Sequence, residues 1–482
     1  MSDMLILYIY RIFWAAFLGG ILAWGFRRSW NAEHGKTSSW MEDREDTVVW
    51  MDPIVLPVML TLFPLLYMCV YGISDGLDYC LCLLVDVLVF VSLYFSGLLL
   101  LLPFLRRRYT ARTCAVLWLV PVFLFYQPHM VYLLMPGPPP AVLYVPETVL
   151  RVLIALWGAG FLVLFGMKIV SHIWFSWSLR RNSHPVEEPV ILESWEKMRS
   201  ELDVHIPVDL RYSSLIGTPL TIGMRKKKKA TYLPERSSYT AEEAEMVFSH
   251  ELHHVQRRDT HTRCFLEFCK ALGWFHPLVW AAVRKAQDDL ELSCDEIVLE
   301  KYDADRRKKY AELLLMTAGE SRGFTTCLSS SARTLRYRMR AIVMTGRRKL
   351  GVGLLFSVMV LSVLAMGKMS IATDRAPAAE VLGLCEDSLS RAWLMSDEME
   401  DGKVRDIEGL TEYLSRLQVE KLIHTYEILP EPAGYEMSGI TAASTVFRIY
   451  DGYLEISYPE KRGTVLCTIR GSVDWEKIRT FV

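Results

Sequence analysis

Residues 250–254 read His-Glu-Leu-His-His. On a helix, positions four apart lie on one face, one turn apart. His250 and His254 can therefore aim imidazole nitrogens at a single Zn²⁺. Glu251, beside them, is placed to take a proton from a water activated there. That grouping is the core of a zinc peptidase. The flanking residues suit a helix. Thr240 and Glu243 have the spacing of a capping box. No Gly or Pro occurs from Ala241 to Val255, and Ala244, Val247, Phe248 and Leu252 recur at helical spacing as a buried face. His253 falls off the His250/His254 face and reads as a polar supporting residue.

A catalytic zinc takes a third protein ligand and keeps one position open. Downstream, Asp259, His261, His276, Asp288, Asp289, Glu291, Cys294, Asp295 and Glu296 qualify by type. The stretch Val279–Glu300 lacks Gly and Pro and reads as a second helix. On it, Glu291 and Asp295 share a face, so one can bind metal while the other accepts a hydrogen bond from a ligand histidine and fixes its tautomer. Composition alone does not choose Glu291 over Asp288. Ahead of the zinc helix, Val190–Arg199 has helical character, and Val208–Tyr212, Leu220–Gly223 and Ala230–Leu233 read as short strands. An edge strand there would hold an extended peptide across the metal. The Lys226–Lys229 run falls at a hairpin tip and reads as a solvated turn.

These elements belong to a chain of 482 residues that is 51% hydrophobic, with a net charge of −1. The apolar excess is clustered, which excludes an ordinary soluble enzyme. Runs of about 20 apolar residues cross a bilayer. Five precede residue 176: about Met4–Phe26, Ile54–Ile73, Tyr79–Phe104, Thr113–Met135 and Val149–Ser171. A sixth covers Leu350–Met369. The first lacks the basic start and small-residue cleavage site of a removable leader. Arg27–Arg28, Arg106–Arg108 with Arg112, Arg180–Arg181 and Arg347–Lys349 belong on the cytoplasmic side. The predicted architecture is an α-helical multi-pass membrane protein. A five-helix region (1–175) precedes a cytoplasmic α+β zincin-like metallopeptidase domain (176–349). A sixth helix (350–370) then leads to a small extracytoplasmic α+β domain (371–482), a candidate sensor. Charge agrees: residues 176–349 hold 30 basic against 24 acidic side chains, and 371–482 hold 12 against 20.

Within the apolar runs, Arg11 and Asp86 are the informative charges; Arg11 is close enough to an end to snorkel, and Asp86 invites a partner across helices. Turns at Asp75/Asp78 and Pro136–Pro140 are expected outside. In the outer domain, a helix is predicted near Ala378–Leu394. A hairpin is expected around Asp451-Gly452, between Val446–Tyr450 and Tyr453–Tyr458, and a further strand at Thr464–Ile469. Cys385 and Cys467 form a disulfide or remain two buried thiols.

The set His250-Glu-Leu-His-His-Val-Gln-Arg-Arg-Asp259, Trp274-Phe-His-Pro-Leu-Val-Trp280 and Glu291-Leu-Ser-Cys-Asp-Glu296 resembles the BlaR/MecR family of membrane metallopeptidases. Thr218-Pro-Leu-Thr-Ile-Gly223, Leu233-Pro234 and Leu335-Arg-Tyr-Arg-Met-Arg340 extend the likeness. The resemblance implies zinc on His250, His254 and Glu291, Glu251 as general base, and Asp295 supporting a ligand from behind. It implies a signal-transducing endopeptidase acting on a protein substrate: a cytoplasmic transcriptional repressor, the chain itself, or both. The loop Gly323–Ser331 is the expected self-cleavage region. The bilayer is a partner, a homodimer stays open, and no direct nucleic-acid contact is expected. Two departures stand out. His276 occupies a position where the family usually has Asn. No Ser-x-x-Lys follows the last apolar run, so the family's covalent β-lactam sensing is not implied. A constitutive quality-control or prenyl-processing protease is the competing enzymatic reading, which the Arg257-Arg258-Asp259 extension and the C-terminal domain disfavour. A non-catalytic receptor is the reading outside enzymology.

Overall fold

The computed structural model describes residues 2–35, 52–126, 141–224, 229–235, 238–319, 335–336, 338–339, 342, 348–365, 369–384, 388–396, 399–422, 434–450, 452–459 and 464–482. The Pro136–Pro140 turn, Lys226–Lys228, Gly323–Ser331, Cys385 and the side chain of Asp86 lie outside the described residues.

The N-terminal region is helical: α1 (Ser2–Glu33), α2 (Val55–Tyr71), α3 (Ile73–Arg108) and the short α4 (Ala111–Leu117). A 3₁₀ turn over Val120–Tyr126 follows α4. Strand β1 (Ala141–Tyr144) then leads into α5 (Glu147–Arg181). Among the described residues, three helices are long and apolar enough to cross a membrane: Ile9–Glu33, Val87–Arg108 and Glu147–Arg181. Ala111–Phe123 and Val352–Ala365 are shorter apolar helices. The expected span Thr113–Met135 is not one continuous helix. Its first part breaks after Leu117 ahead of Pro121, whose ring cannot continue a helix. The Asp75/Asp78 turn is also displaced: both residues lie within α3, and the chain turns at Gly72, with φ 89°.

The region after α5 comprises β2 (Ser183–Pro185), α6 (Pro189–Glu201), β3 (Val208–Ser213), β4 (Leu220–Ile222), β5 (Lys229–Pro234), α7 (Ala241–Gln256), α8 (Asp259–Leu272), α9 (Pro277–Glu300) and α10 (Ala304–Gly319). The strands form one sheet in the order β2-β3-β5-β4, leaving β4 at an edge. The capping box at Thr240 and Glu243 is present in both directions. Lys229 is not part of a solvated turn. It opens β5, is buried, and donates to the Val255 carbonyl at the end of α7.

Two cores meet in this region. One packs α6 and the sheet against α7, α10 and the end of α9, through Trp195, Phe248, Leu252 and Tyr310. The other joins α8 and the first half of α9 to α1–α4, through Phe265, Phe268, Val283, Phe95 and Trp118. The zinc-helix neighbourhood is therefore continuous with the apolar N-terminal helices.

The helix α11 (Val352–Ala365) packs along α1. A Cβ on Gly19 would meet Val360 Cγ2 at 2.9 Å, so only glycine permits this approach. Arg11 has partners across the helix pair. Its guanidinium donates to the carbonyls of Val363 and Leu364 in the last turn of α11. Beyond lie β6 (Met369–Pro377), α12 (Ala378–Val381), β7 (Leu389–Ser396), β8 (Met399–Lys403), α13 (Ile407–Arg416), β9 (Gln418–Leu422), β10 (Tyr435–Thr441), β11 (Val446–Tyr450), β12 (Tyr453–Ser457), β13 (Thr464–Ile469) and α14 (Trp475–Arg479). The predicted hairpin and its following strand are present. The helix expected over Ala378–Leu394 is a single turn, because Gly383 at φ 76° ends it and Leu389–Ser396 enters the sheet. Cys467 is a buried free thiol. The sheet order is β1-β6-β9-β13-β12-β11-β10-β7-β8. Its first pair is parallel, with Leu143 opposite Ile371, so β1 joins a sheet otherwise built from the C-terminal region.

Candidate metal centre

Helix α7 carries His250, Glu251 and His254 one turn apart, and α9 crosses it with Glu291. The two Nε2 atoms of His250 and His254 are 3.1 Å apart. Glu291 Oε2 lies 3.6 Å from His250 Nε2, and Oε1 lies 3.8 Å from His254 Nε2.

The outer nitrogens are held from behind. His254 Nδ1 is 2.5 Å from Asp259 Oδ2, an acceptor, so Nδ1 carries the hydrogen. Tyr310 donates to Asp295 Oδ1 at 2.7 Å, and its oxygen accepts from His250 Nδ1 at 3.0 Å. Both Nε2 atoms therefore present lone pairs toward each other. Glu291 Oε2 is buried and makes no hydrogen bond, with Arg338 Nη1 3.4 Å away as an ion-pair neighbour. Arg263 bonds the other Glu291 oxygen, and two facing ring nitrogens beside the Glu291 carboxylate make a donor set that could hold a cation. One nitrogen or oxygen atom from each residue falls within 4.8 Å of the others. A zinc ion about 2.0–2.1 Å from each nitrogen spaces tetrahedral ligands about 3.3 Å apart, so the residues present fit zinc.

Electrostatics point the same way. Burial opposes charge on His250, but Asp295 and Glu291 outweigh it and lift the imidazole to about 9. Burial likewise opposes charge on His254, yet Cys294, Asp259 and Glu291 raise it well above the usual histidine range. Burial would raise Glu291, but Arg263, His250, His254 and Arg338 hold it well below the usual carboxylate range. An anionic pocket that lifts its histidines so strongly is one that attracts cations.

The chain geometry that achieves this lies partly between helices. Arg258 adopts the left-handed conformation at φ 51°, uncommon for a residue with a side chain. That turn starts α8 at once and swings Asp259 back against His254. Asp259, Cys294 and His254 form a second trio of possible ligands. Asp259 already engages His254 Nδ1, so this trio braces a ligand.

The remaining candidates lie elsewhere. His261 bonds Asp52 at 2.6 Å and the Met224 carbonyl at 2.9 Å. Asp288 pairs with Lys285 at 2.9 Å, and Asp289 with Arg106 and Trp118 at 2.8 and 2.9 Å. Glu296 accepts from the Ala111 amide at 2.6 Å. His276 precedes α9 without capping it through its side chain. His253 is buried apart from the pair, its Nδ1 2.6 Å from the Ser249 carbonyl, and burial pushes it down to about 3.

Asp295 Oδ1 lies 3.4 Å from His250 Nδ1 and also reaches it through Tyr310, and Arg338 grips both Asp295 oxygens at 2.6 Å. Neither Tyr310 nor Arg338 had been assigned a role from the sequence. Arg338 belongs to the Leu335–Arg340 motif, which was the available signal. Glu251 is buried, and Thr221 on the edge strand β4 donates to its Oε2 at 2.8 Å. Thr221 also meets Thr231 Oγ1 at 2.9 Å, which fixes its hydroxyl. Glu251 is thus tethered to an edge strand of the sheet.

Comparison with known proteins identifies similar chains. Residues 137–342 match the BlaR1 peptidase M56 family. Among curated proteins, the regulatory protein BlaR1 of Bacillus licheniformis is 29% identical over 185 residues, which is 38% of this chain. The match spans 30% of that relative's length.

Proposed function

From a chain whose residues 137–342 match the BlaR1 peptidase M56 family, we propose a six-pass membrane zinc endopeptidase that transduces an extracytoplasmic signal. Its peptidase faces the cytoplasm, and its substrate is a cytoplasmic repressor, the chain itself, or both. The observation that carries the metallopeptidase reading is the 3.1 Å approach of two lone-pair nitrogens beside the unbonded Glu291 oxygen.

His250, His254 and Glu291 would hold the metal. Zinc, when bound, acts as a Lewis acid and lowers the pKa of water. Glu251 takes a proton from the attacking water and returns it to the leaving amine. Thr221 holds one Glu251 oxygen and leaves the other for this transfer. The edge strand β4 would pair with an extended substrate segment, setting the scissile carbonyl over Glu251. Asp259 and Tyr310 keep both ligand histidines in the tautomer the metal needs.

Purified full-length protein should hold one zinc, and His254→Ala should hold none. Glu251→Gln should keep zinc while losing cleavage of the chain itself and of a disordered reporter protein by at least about 10²-fold. Undiminished cleavage by that variant would remove Glu251 from the mechanism.

A further inference from the structure

We infer that Glu33, the last residue of α1, is a positioning residue for the metal centre: it restrains Arg257 and so leaves Asp259 to His254. This rests on the zinc reading above. A carboxylate at a helix C-terminus opposes the helix dipole, and the Glu33 side chain is also fully buried. Two arginines compensate it. Arg257 donates to it through Nε at 3.0 Å and Nη2 at 2.9 Å, a bidentate pair. Arg112 Nη2 approaches at 2.9 Å from α4.

Arg257 is also part of the ground behind the metal site. Its Nη1 donates to Ser293 Oγ at 2.9 Å and to Cys294 Sγ at 3.2 Å. Cys294 Sγ sits 3.4 Å from His254 Nδ1 and 3.8 Å from Asp259 Oδ2. Arg257 and Asp259 already attract each other there. With the Glu33 charge removed, the Arg257 guanidinium is drawn to Asp259, the carboxylate across Cys294. Asp259 would then be shared, and His254 would lose the acceptor that fixes its tautomer and aim. The first apolar helix thereby becomes a determinant of how tightly the site holds metal.

Zinc affinity of the full-length protein in detergent, measured by competition with a chromophoric chelator, tests this. Glu33→Gln should weaken zinc by about tenfold or more. Arg257→Gln leaves Glu33 paired with Arg112 and removes the guanidinium that would compete for Asp259, so it should bind zinc more tightly than Glu33→Gln. The double variant should return to the Arg257→Gln value, because the competing guanidinium is gone. A merely structural Glu33 predicts the opposite, a double variant at least as weak as Glu33→Gln, and that result overturns the inference. So does a Glu33→Gln protein that binds zinc like the parent. Should Glu33→Gln not accumulate, Glu33→Asp replaces it, with a smaller loss that Arg257→Gln again reverses; no loss, or no reversal, overturns the inference. A parent protein that binds no zinc overturns the metallopeptidase reading itself, a distinct result.

Discussion

Tyr310 stands between His250 and Asp295 and is the residue whose removal most cleanly tests how the ligands are held. Tyr310→Phe keeps the buried ring and deletes only the hydroxyl that accepts from His250 and donates to Asp295. Zinc affinity should drop by about 10–100-fold. Stability should fall by only about 0.5–1.5 kcal/mol, the net worth of one hydrogen bond, because Asp295 Oδ1 keeps Arg338 and lies 3.4 Å from His250 Nδ1. Chelator competition and thermal melting measure the two effects; unchanged zinc affinity would show that the ring, not the hydroxyl, supports His250. At this scale the sequence was most legible where chemistry and helical period coincide, at His250, Glu251, His254 and the Glu291/Asp295 pair. Tyr310 and Arg338 were illegible for a physical reason. They reach the site from 15 and 43 positions beyond Asp295, and nothing in local spacing encodes a long-range hydrogen bond.

Helix α7 illustrates what the sequence encodes at the next scale. Its start follows from the capping box, its buried face from the 3.6-residue period, and both are local. The fate of Ala378–Leu394 was not local. Its apolar spacing suits a helix, but Gly383 ends the turn and the neighbouring strand β10 recruits Leu389–Ser396. His253 gives α7 a pH dependence. Burial lowers it to about 3 in the folded chain, while it titrates near 6.5 when unfolded. The unfolded state therefore binds the extra proton first, and stability is lost as pH falls below about 6.5 toward 3. At pH 5 the contribution is about 2 kcal/mol. A His253→Leu protein should consequently lose less stability than the parent between pH 7 and 5, read from melting temperatures at constant ionic strength. Parallel curves would mean that His253 is not held neutral.

The whole molecule is tied together by two rods whose ends are strands. Helix α5 is 35 residues long, about 52 Å, well beyond the roughly 30 Å hydrocarbon core. It begins just after β1 of the large sheet and ends just before β2 of the peptidase sheet. The parallel β1–β6 ladder requires Ala141–Tyr144 and Met369–Pro377 to share one side of any membrane that α5 crosses. The peptidase sheet must then face the other side. This constraint separates the two sheets without saying which side is cytoplasmic, and it is compatible with the arrangement expected from the arginine distribution. What the sequence did not show was the merging of α8 and α9 with the N-terminal helices, since an amphipathic period reveals an apolar face but not its partner. A two-sided arrangement predicts that alkaline phosphatase fused after Val482 is active, because that enzyme folds only where disulfides form, whereas a fusion after Glu201 is inactive. Breaking the ladder adds a second expectation. Val142→Pro removes an amide and a strand-compatible conformation from β1, and should loosen the tie between α5 and the C-terminal sheet without touching the site. Zinc affinity should then remain within about twofold of the parent, while hydrogen exchange at β6 rises. A fall in zinc affinity with unchanged exchange would mean that β1 supports the metal centre by some route other than this ladder.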